Sequence, residues 1–221
     1  MSARDAILGK VRASLGGDAE GRRAAVTARL KQAPVGVIPA RGQLAPAART
    51  TLFAEMAGRV HATVQRLKKA EDVPKAVAQY LREHNLPASV RMGYDKRLMA
   101  LPWAKQRHME VKYGASDGDD ETGVSFASAG VAETGTLVMI SGAANPTTIN
   151  FLPEHHLVVV DAGDIEGDLE AALAKVRKAA GKTGLPRTVN LITGPSKSGD
   201  IEQKIVLGAH GPRALHIIVV G

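Results

Sequence analysis

The sequence predicts an α/β fold with a mostly parallel sheet, preceded by an N-terminal helical arm. Three observations carry this. Short apolar runs recur at residues 157–160, 189–192 and 216–220, the length and density expected of strands buried on both faces. Between the first two lies residues 168–180, where Leu169, Ala172, Leu173 and Val176 share one face of a helix. Buried strands alternating with a helix imply parallel order.

The elements follow in order. Residues 3–15 read as a short amphipathic helix through Ala6, Ile7, Val11 and Leu15, and Gly16-Gly17 ends it. Residues 18–32 are rich in Arg and Ala and continue as a second helix. Pro34, Pro39 and Pro46 then punctuate an extended stretch. This sets an arm at 1–47 and a compact domain at 48–221. Residues 49–57 are helical, with Leu52, Phe53 and Met56 inward and Gly58 as the stop. Val60, Ala62 and Val64 alternate with polar residues, the period of a strand. Asp72 is placed to cap a helix over 73–84, with Pro74 in its first turn and Asn85 closing it. Strands follow at 88–92 and 109–113, then an acidic loop at 117–121. Residues 124–127 and 136–140 are strands flanking a turn.

Composition removes several function classes. The chain has 221 residues, no cysteine and 3% aromatic residues. Without cysteine there are no disulfides, thiolate nucleophiles or Cys-ligated zinc and iron–sulfur centres. So few aromatics build no stacking ladder for single-stranded nucleic acid. No apolar run approaches the roughly 20 residues that span a bilayer. Arg4, Asp5, Lys10 and Arg12 interrupt any signal-peptide core, so a cytoplasmic location is expected. The 29 basic and 22 acidic residues leave a net charge of +7. The excess sits in the first half without a dense Lys/Arg run, as on solvated helix faces, so no nucleic-acid partner is expected. The seven histidines show no i, i+4 or H-x-H pairing, so no metal site is expected.

Candidate chemistry lies in loops beside the apolar strands, since ligands of open α/β sheets collect at strand carboxyl ends. The first loop holds Glu133, Thr134, Gly135 and Thr136, where Glu133 can act as base or nucleophile. The alternative is a hairpin turn at Thr134-Gly135 with Glu133 exposed. The second holds Thr193, Gly194, Ser196, Lys197, Ser198 and Asp200, and a short helix is expected over 200–207. Small residues and a lysine before a helix N-terminus make an anion cradle, although Ser198 or Asp200 as a plain cap is the simpler account. The third places His210 between small residues, as an acid, a base or an orienting donor, or as a turn residue. A weaker stretch runs over 145–156. Its adjacent His155 and His156 point to opposite faces of a strand, so at most one faces a site.

Taken together, these loops resemble the lactate-utilisation protein C family, also called the LUD domain. The matching segments are Ala132-Glu-Thr-Gly-Thr-Leu-Val138, Phe151-Leu-Pro153, Thr193-Gly-Pro-Ser196 through Asp200-Ile-Glu202, and Gly208-x-His-Gly-Pro-Arg213-x-Leu-His216. The opening Ser2-Ala-Arg-Asp-Ala-Ile-Leu8 resembles the family's N-terminal helix, and residues 18–48 match nothing in it. The resemblance implies a Rossmann-like fold of the sugar-phosphate isomerase and CoA-transferase-like superfamily. It also implies a subunit of a system oxidising L-lactate to pyruvate beside iron–sulfur partner proteins. Any cluster would sit on those partners. The ligand expected in this chain is a small carboxylate or phosphate. The alternative is a free-standing isomerase or transferase acting on a phosphorylated or acyl compound, with Glu133 as base or nucleophile.

Overall fold

The computed structural model describes residues 2–32, 35–181, 184–201 and 204–221. It divides into two compact units, 1–37 and 38–221. The first holds α1 (Ala3–Leu15), where the apolar spacing predicts it, and α2 (Ala19–Gln32), where the Arg- and Ala-rich composition does. Ser2 and Asp5 close a reciprocal capping box on α1. Neither helix has a buried residue.

The second unit begins ten residues earlier than the prolines suggest. Gln43 donates through Nε2 to Asp168 Oδ2 at 2.8 Å. A Cβ on Gly42 would come within 2.0 Å of the Gly167 carbonyl oxygen, so the two backbones lie in direct contact. Residues 38–47 therefore belong to the domain rather than to the arm.

The domain is built on a six-stranded sheet whose strands are all parallel. They are β1 (Thr63–Leu67), β2 (Ser89–Met92), β3 (Glu110–Tyr113), β4 (Thr122–Phe126), β7 (His155–Asp161) and β12 (Ala214–Val220), in the order β1-β12-β7-β4-β2-β3. A smaller sheet, in the order β8-β5-β6-β9, holds β5 (Ala129–Val131), β6 (Thr136–Ile140), β8 (Ile165–Glu166) and β9 (Val189–Ile192). A hairpin of β10 (Lys197–Ile201) and β11 (Lys204–Leu207) stands apart.

The large sheet is covered on both faces, which explains its uninterrupted apolar runs. On one face α4 (Val73–Glu83) presents Val73, Val77 and Leu81 to Leu157, Val159 and Ile218. On the other, Phe53 and Ala57 of α3 (Pro46–Arg59) and Leu137 and Met139 of β6 meet Val158, Ile217 and Val219. The far side of the small sheet packs through Val131 and Val138 on Ala172 and Val176 of α7 (Leu169–Ala180). Successive residues of β7 and β12 thus feed different cores, as a period of two requires.

Four expectations need correction. No helix forms among the described residues of 200–207: Lys197–Ile201 and Lys204–Leu207 pair antiparallel as β10 and β11. β9 is not a buried strand of the parallel sheet; it pairs antiparallel with β6 at the edge of the small sheet and is largely half-exposed. β1 starts at Thr63 because the chain still turns at His61, whose φ is +70°. Asp72 stands at the N-cap of α4 without a side-chain cap bond.

Candidate functional site

The amino ends of β7 and β12 form the floor of a cavity of about 290 Å³. Its walls come from the loop after β9, the start of β10, the loop before β12 and α6 (Thr147–Phe151). α6 crosses β4 closely: a Cβ on Gly123 would meet Ile149 Cγ2 and its carbonyl oxygen at 2.8 Å. Only glycine at 123 lets α6 lie this low and bring Asn150 to the sheet.

Five of the expected residues converge here. Thr193, Gly194, Ser196, Lys197 and His210 all line the cavity. Gly194 holds the loop in place, with φ +76° and its Cα against the Val60 carbonyl. Ser196 N–H donates to the Pro212 carbonyl at 2.8 Å, and Gly208 N–H donates to the Ser196 carbonyl at 3.0 Å. These bonds join the second and third candidate loops. Thr136 reaches the same wall indirectly. Its hydroxyl lies 2.7 Å from Thr193 Oγ1 and 2.7 Å from Thr134 Oγ1.

The others lie elsewhere. Glu133 is not at the cavity and is not exposed. It sits in the β5–β6 hairpin turn, is 6% exposed, and accepts from Leu169 N–H at 3.3 Å. A carboxylate at the first residue of α7 complements that helix's N-terminal dipole. Asp168 caps the same helix, accepting from Ala171 N–H at 2.8 Å. Glu133 is therefore placed as a helix-terminus anchor and away from Ser196 and His210. Gly135 closes the hairpin turn, donating from N–H to the Val131 carbonyl at 2.9 Å. Ser198 is paired with Val206 in the hairpin and does not line the cavity. The Asp200 side chain lies outside the described residues. The cradle itself is different from the one expected, since no helix N-terminus stands behind Lys197. The topological argument also fails: the cavity is at the amino end of the sheet.

His156 and Asn150, from the weaker stretch at 145–156, line the floor, and Ser125, which is not part of the lining, bonds to both. His156 Nε2 lies 3.0 Å from Ser125 Oγ, which donates to Asn150 Oδ1 at 3.2 Å. His156 and Asn150 line the cavity, and each is 1% exposed. Full burial pushes the His156 ring down to about 3 from the ordinary 6.5, so it is neutral near pH 7. His156 Nδ1 and Asn150 Nδ2 are buried without a hydrogen-bond partner among the described residues. The pair at 155–156 carried the available signal, since strand alternation already assigned only one of the two to any site.

The opposite face bears this out. His155 turns away from the cavity, its Nδ1 3.0 Å from the Tyr80 hydroxyl. His216 joins it there, with Nδ1 2.7 Å from Thr63 Oγ1 and its ring 4.6 Å from that of Tyr80. Burial lowers both rings, that of His216 to about 4, and raises the Tyr80 hydroxyl to about 12.

Among the described residues no group of three or more His, Cys, Asp or Glu is placed to hold a metal ion. The sequence offers no cysteine to a cluster. No described helix is long and apolar enough to cross a membrane.

Sheet and pocket together define an α/β protein with a small, half-polar pocket at the amino edge of a parallel sheet. The LUD domain family matches residues 50–220, and the chain belongs to that family. Among curated proteins, it is 27% identical to lactate utilization protein C of Halalkalibacterium halodurans, over 76% of this chain and 77% of that one. It is 37% identical to the protein of that name from Geobacillus sp. strain WCH70, over 44% of this chain and 41% of the relative. The likeness to that of Shouchella clausii is 31%, over 45% and 44%. The last two matches thus span less than half of the relative's length. A crystal structure of a DUF162 family protein from Deinococcus radiodurans has the same fold, with a TM-score of 0.62 and 21% identity. It covers 80% of this chain and 99% of that one.

Proposed function

We propose that the chain serves lactate utilisation by holding a short carboxylate in the cavity floored by His156. The observation that carries this is the pocket's division of chemistry. Lys197 and Ser196 stand at one wall, His156 and Asn150 at the floor, and Leu191, Leu215 and Pro212 complete the lining. An ammonium and a hydroxyl suit a carboxylate, while the apolar residues suit a short alkyl end. Three relatives from separate genera carry the name lactate utilization protein C, which supports this choice among small anions.

In this reading the chain handles the substrate, and iron–sulfur partner proteins receive the two electrons that leave L-lactate. The lack of cysteine supports this division, since the chain offers no thiolate to a cluster. The alternative of an isomerase or transferase using Glu133 is the weaker reading, because that side chain does not line the cavity and one of its oxygens is held by Leu169 N–H at the start of α7.

Two experiments test the proposal. Deleting the coding sequence should abolish growth on L-lactate while growth on pyruvate persists. Undiminished growth of the deletion strain on L-lactate refutes the role. Calorimetric titration of the purified chain with L-lactate should show binding, and Lys197→Ala should weaken it about tenfold, or about 1.5 kcal/mol. The lower end of the range for a charge-assisted bond applies because Lys197 is exposed. Equal binding by wild type and variant removes Lys197 from the site.

A further inference from the structure

The geometry assigns to His156, Ser125 and Asn150 the reading of a hydroxyl group beside the bound carboxylate. This inference rests on the carboxylate reading above and adds the basis of selection.

The argument begins with one hydrogen atom. Ser125 Oγ lies between His156 Nε2 at 3.0 Å and Asn150 Oδ1 at 3.2 Å. A hydroxyl has a single proton, so it can donate in one direction only. With Ser125 donating to Asn150, it must accept from His156 Nε2–H. The neutral ring then presents Nδ1 as a bare acceptor, and Asn150 presents Nδ2–H as a donor. Reversing the chain, with the amide turned over, makes Nδ1–H the donor and the Asn150 oxygen the acceptor. In both arrangements the floor offers one acceptor and one donor. While the ring is neutral it never offers two donors.

These two atoms are buried without a partner among the described residues, and the residues that carry them line the cavity. Buried polar atoms of this kind are ordinarily satisfied. A short ligand that pairs with both must itself bring one donor and one acceptor close together. A 2-hydroxy carboxylate does so: its hydroxyl hydrogen meets the acceptor, and an oxygen of the same ligand meets the donor. Its remaining carboxylate oxygen is free for Lys197 and Ser196. Propionate has the carboxylate and no hydroxyl. Pyruvate has acceptors only. Each leaves the floor's buried acceptor unmet, and a site built to bond a hydroxyl discriminates strongly against analogues that lack it.

The test is a titration series on the purified full chain at pH 7 with L-lactate, propionate and pyruvate. L-lactate should bind at least about tenfold more tightly than either analogue. Ser125→Ala and Asn150→Ala, which each break the chain of bonds that fixes the His156 tautomer, should bring the ratio of L-lactate to propionate affinity down towards one. Circular dichroism and thermal melts of both variants confirm that they are folded. The wild-type series decides the matter even if a variant does not fold. Equal affinity for all three compounds overturns the hydroxyl reading and leaves the carboxylate reading standing. Binding of none of them overturns both.

Discussion

Acid should destabilise this protein well before its carboxylates are protonated, because two of its histidines are buried in the neutral form. The perturbation is a fall from pH 7 to pH 5. Burial lowers His156 to about 3 and His216 to about 4, against an ordinary value of 6.5. A depressed folded value gives stability that is present above 6.5 and lost as pH falls, since the unfolded ring binds a proton that the folded ring refuses. The slope is about 1.4 kcal/mol per pH unit below 6.5, so each ring accounts for a loss of about 2 kcal/mol between pH 7 and pH 5. Together they remove about 4 kcal/mol, a large part of the roughly 5–15 kcal/mol that holds an ordinary domain. His155 is lowered by burial as well and acts in the same direction. The assay is urea unfolding followed by circular dichroism at the two pH values. His156→Gln should remove about half of the pH dependence, whatever it does to stability at pH 7. The reasoning is refuted if the unfolding free energy at pH 5 lies within about 1 kcal/mol of that at pH 7.

Three further outcomes are expected. Gly194→Ala should lower stability by about 2 kcal/mol or more, read as a fall in melting temperature, because φ is +76° and the new Cβ would lie 2.3 Å from the Val60 carbonyl oxygen; an unchanged melting temperature would show that the loop moves freely. Asp120→Asn should cost about 1–3 kcal/mol in urea unfolding, since Asp120 Oδ2 accepts from Arg91 Nε at 2.8 Å and from Ser116 Oγ at 2.9 Å; no change would mean that the pair contributes nothing net. Limited proteolysis should cut first within 1–37, whose helices have no buried residue, and leave 38–221 intact; first cleavage at 38–47 would contradict the docking of Gly42 and Gln43.

The fold was more legible than the site. Strands β7 and β12 announce themselves because both faces are covered, so nearly every residue must be apolar. α7 and α4 show through their helical spacing, with Asp168 as a working cap. A helix is expected over 200–207 because Ser198 and Asp200 resemble caps, while the strand signal of β10 and β11 rests on few apolar residues. β9 looked like a buried strand until Asn190, which breaks the run, is given its due at a sheet edge. The site depended on something no local pattern contains. Which end of the sheet holds the pocket follows from strand order, and strand order is a long-range property. The loops at 193–197 and 208–213 do meet at one cavity. Glu133 was misjudged because a carboxylate serving a distant helix terminus looks the same in sequence as one serving a ligand.

The place of β1 in the sheet has a consequence for how the chain folds. Among the described strands its only neighbour is β12, and Thr63 meets His216 across 153 positions of sequence. No nearer strand can hold β1 in the meantime. Closing so long a loop carries an entropic penalty before any pairing rewards it, and topologies dominated by such contacts fold slowly. Refolding should therefore pass through a species in which β2, β3, β4 and β7 have assembled while β1 and β12 remain undocked. In that interval the apolar edge of β7, later covered by β12, stays open to other chains, so loss of protein to aggregation during refolding should rise with its concentration.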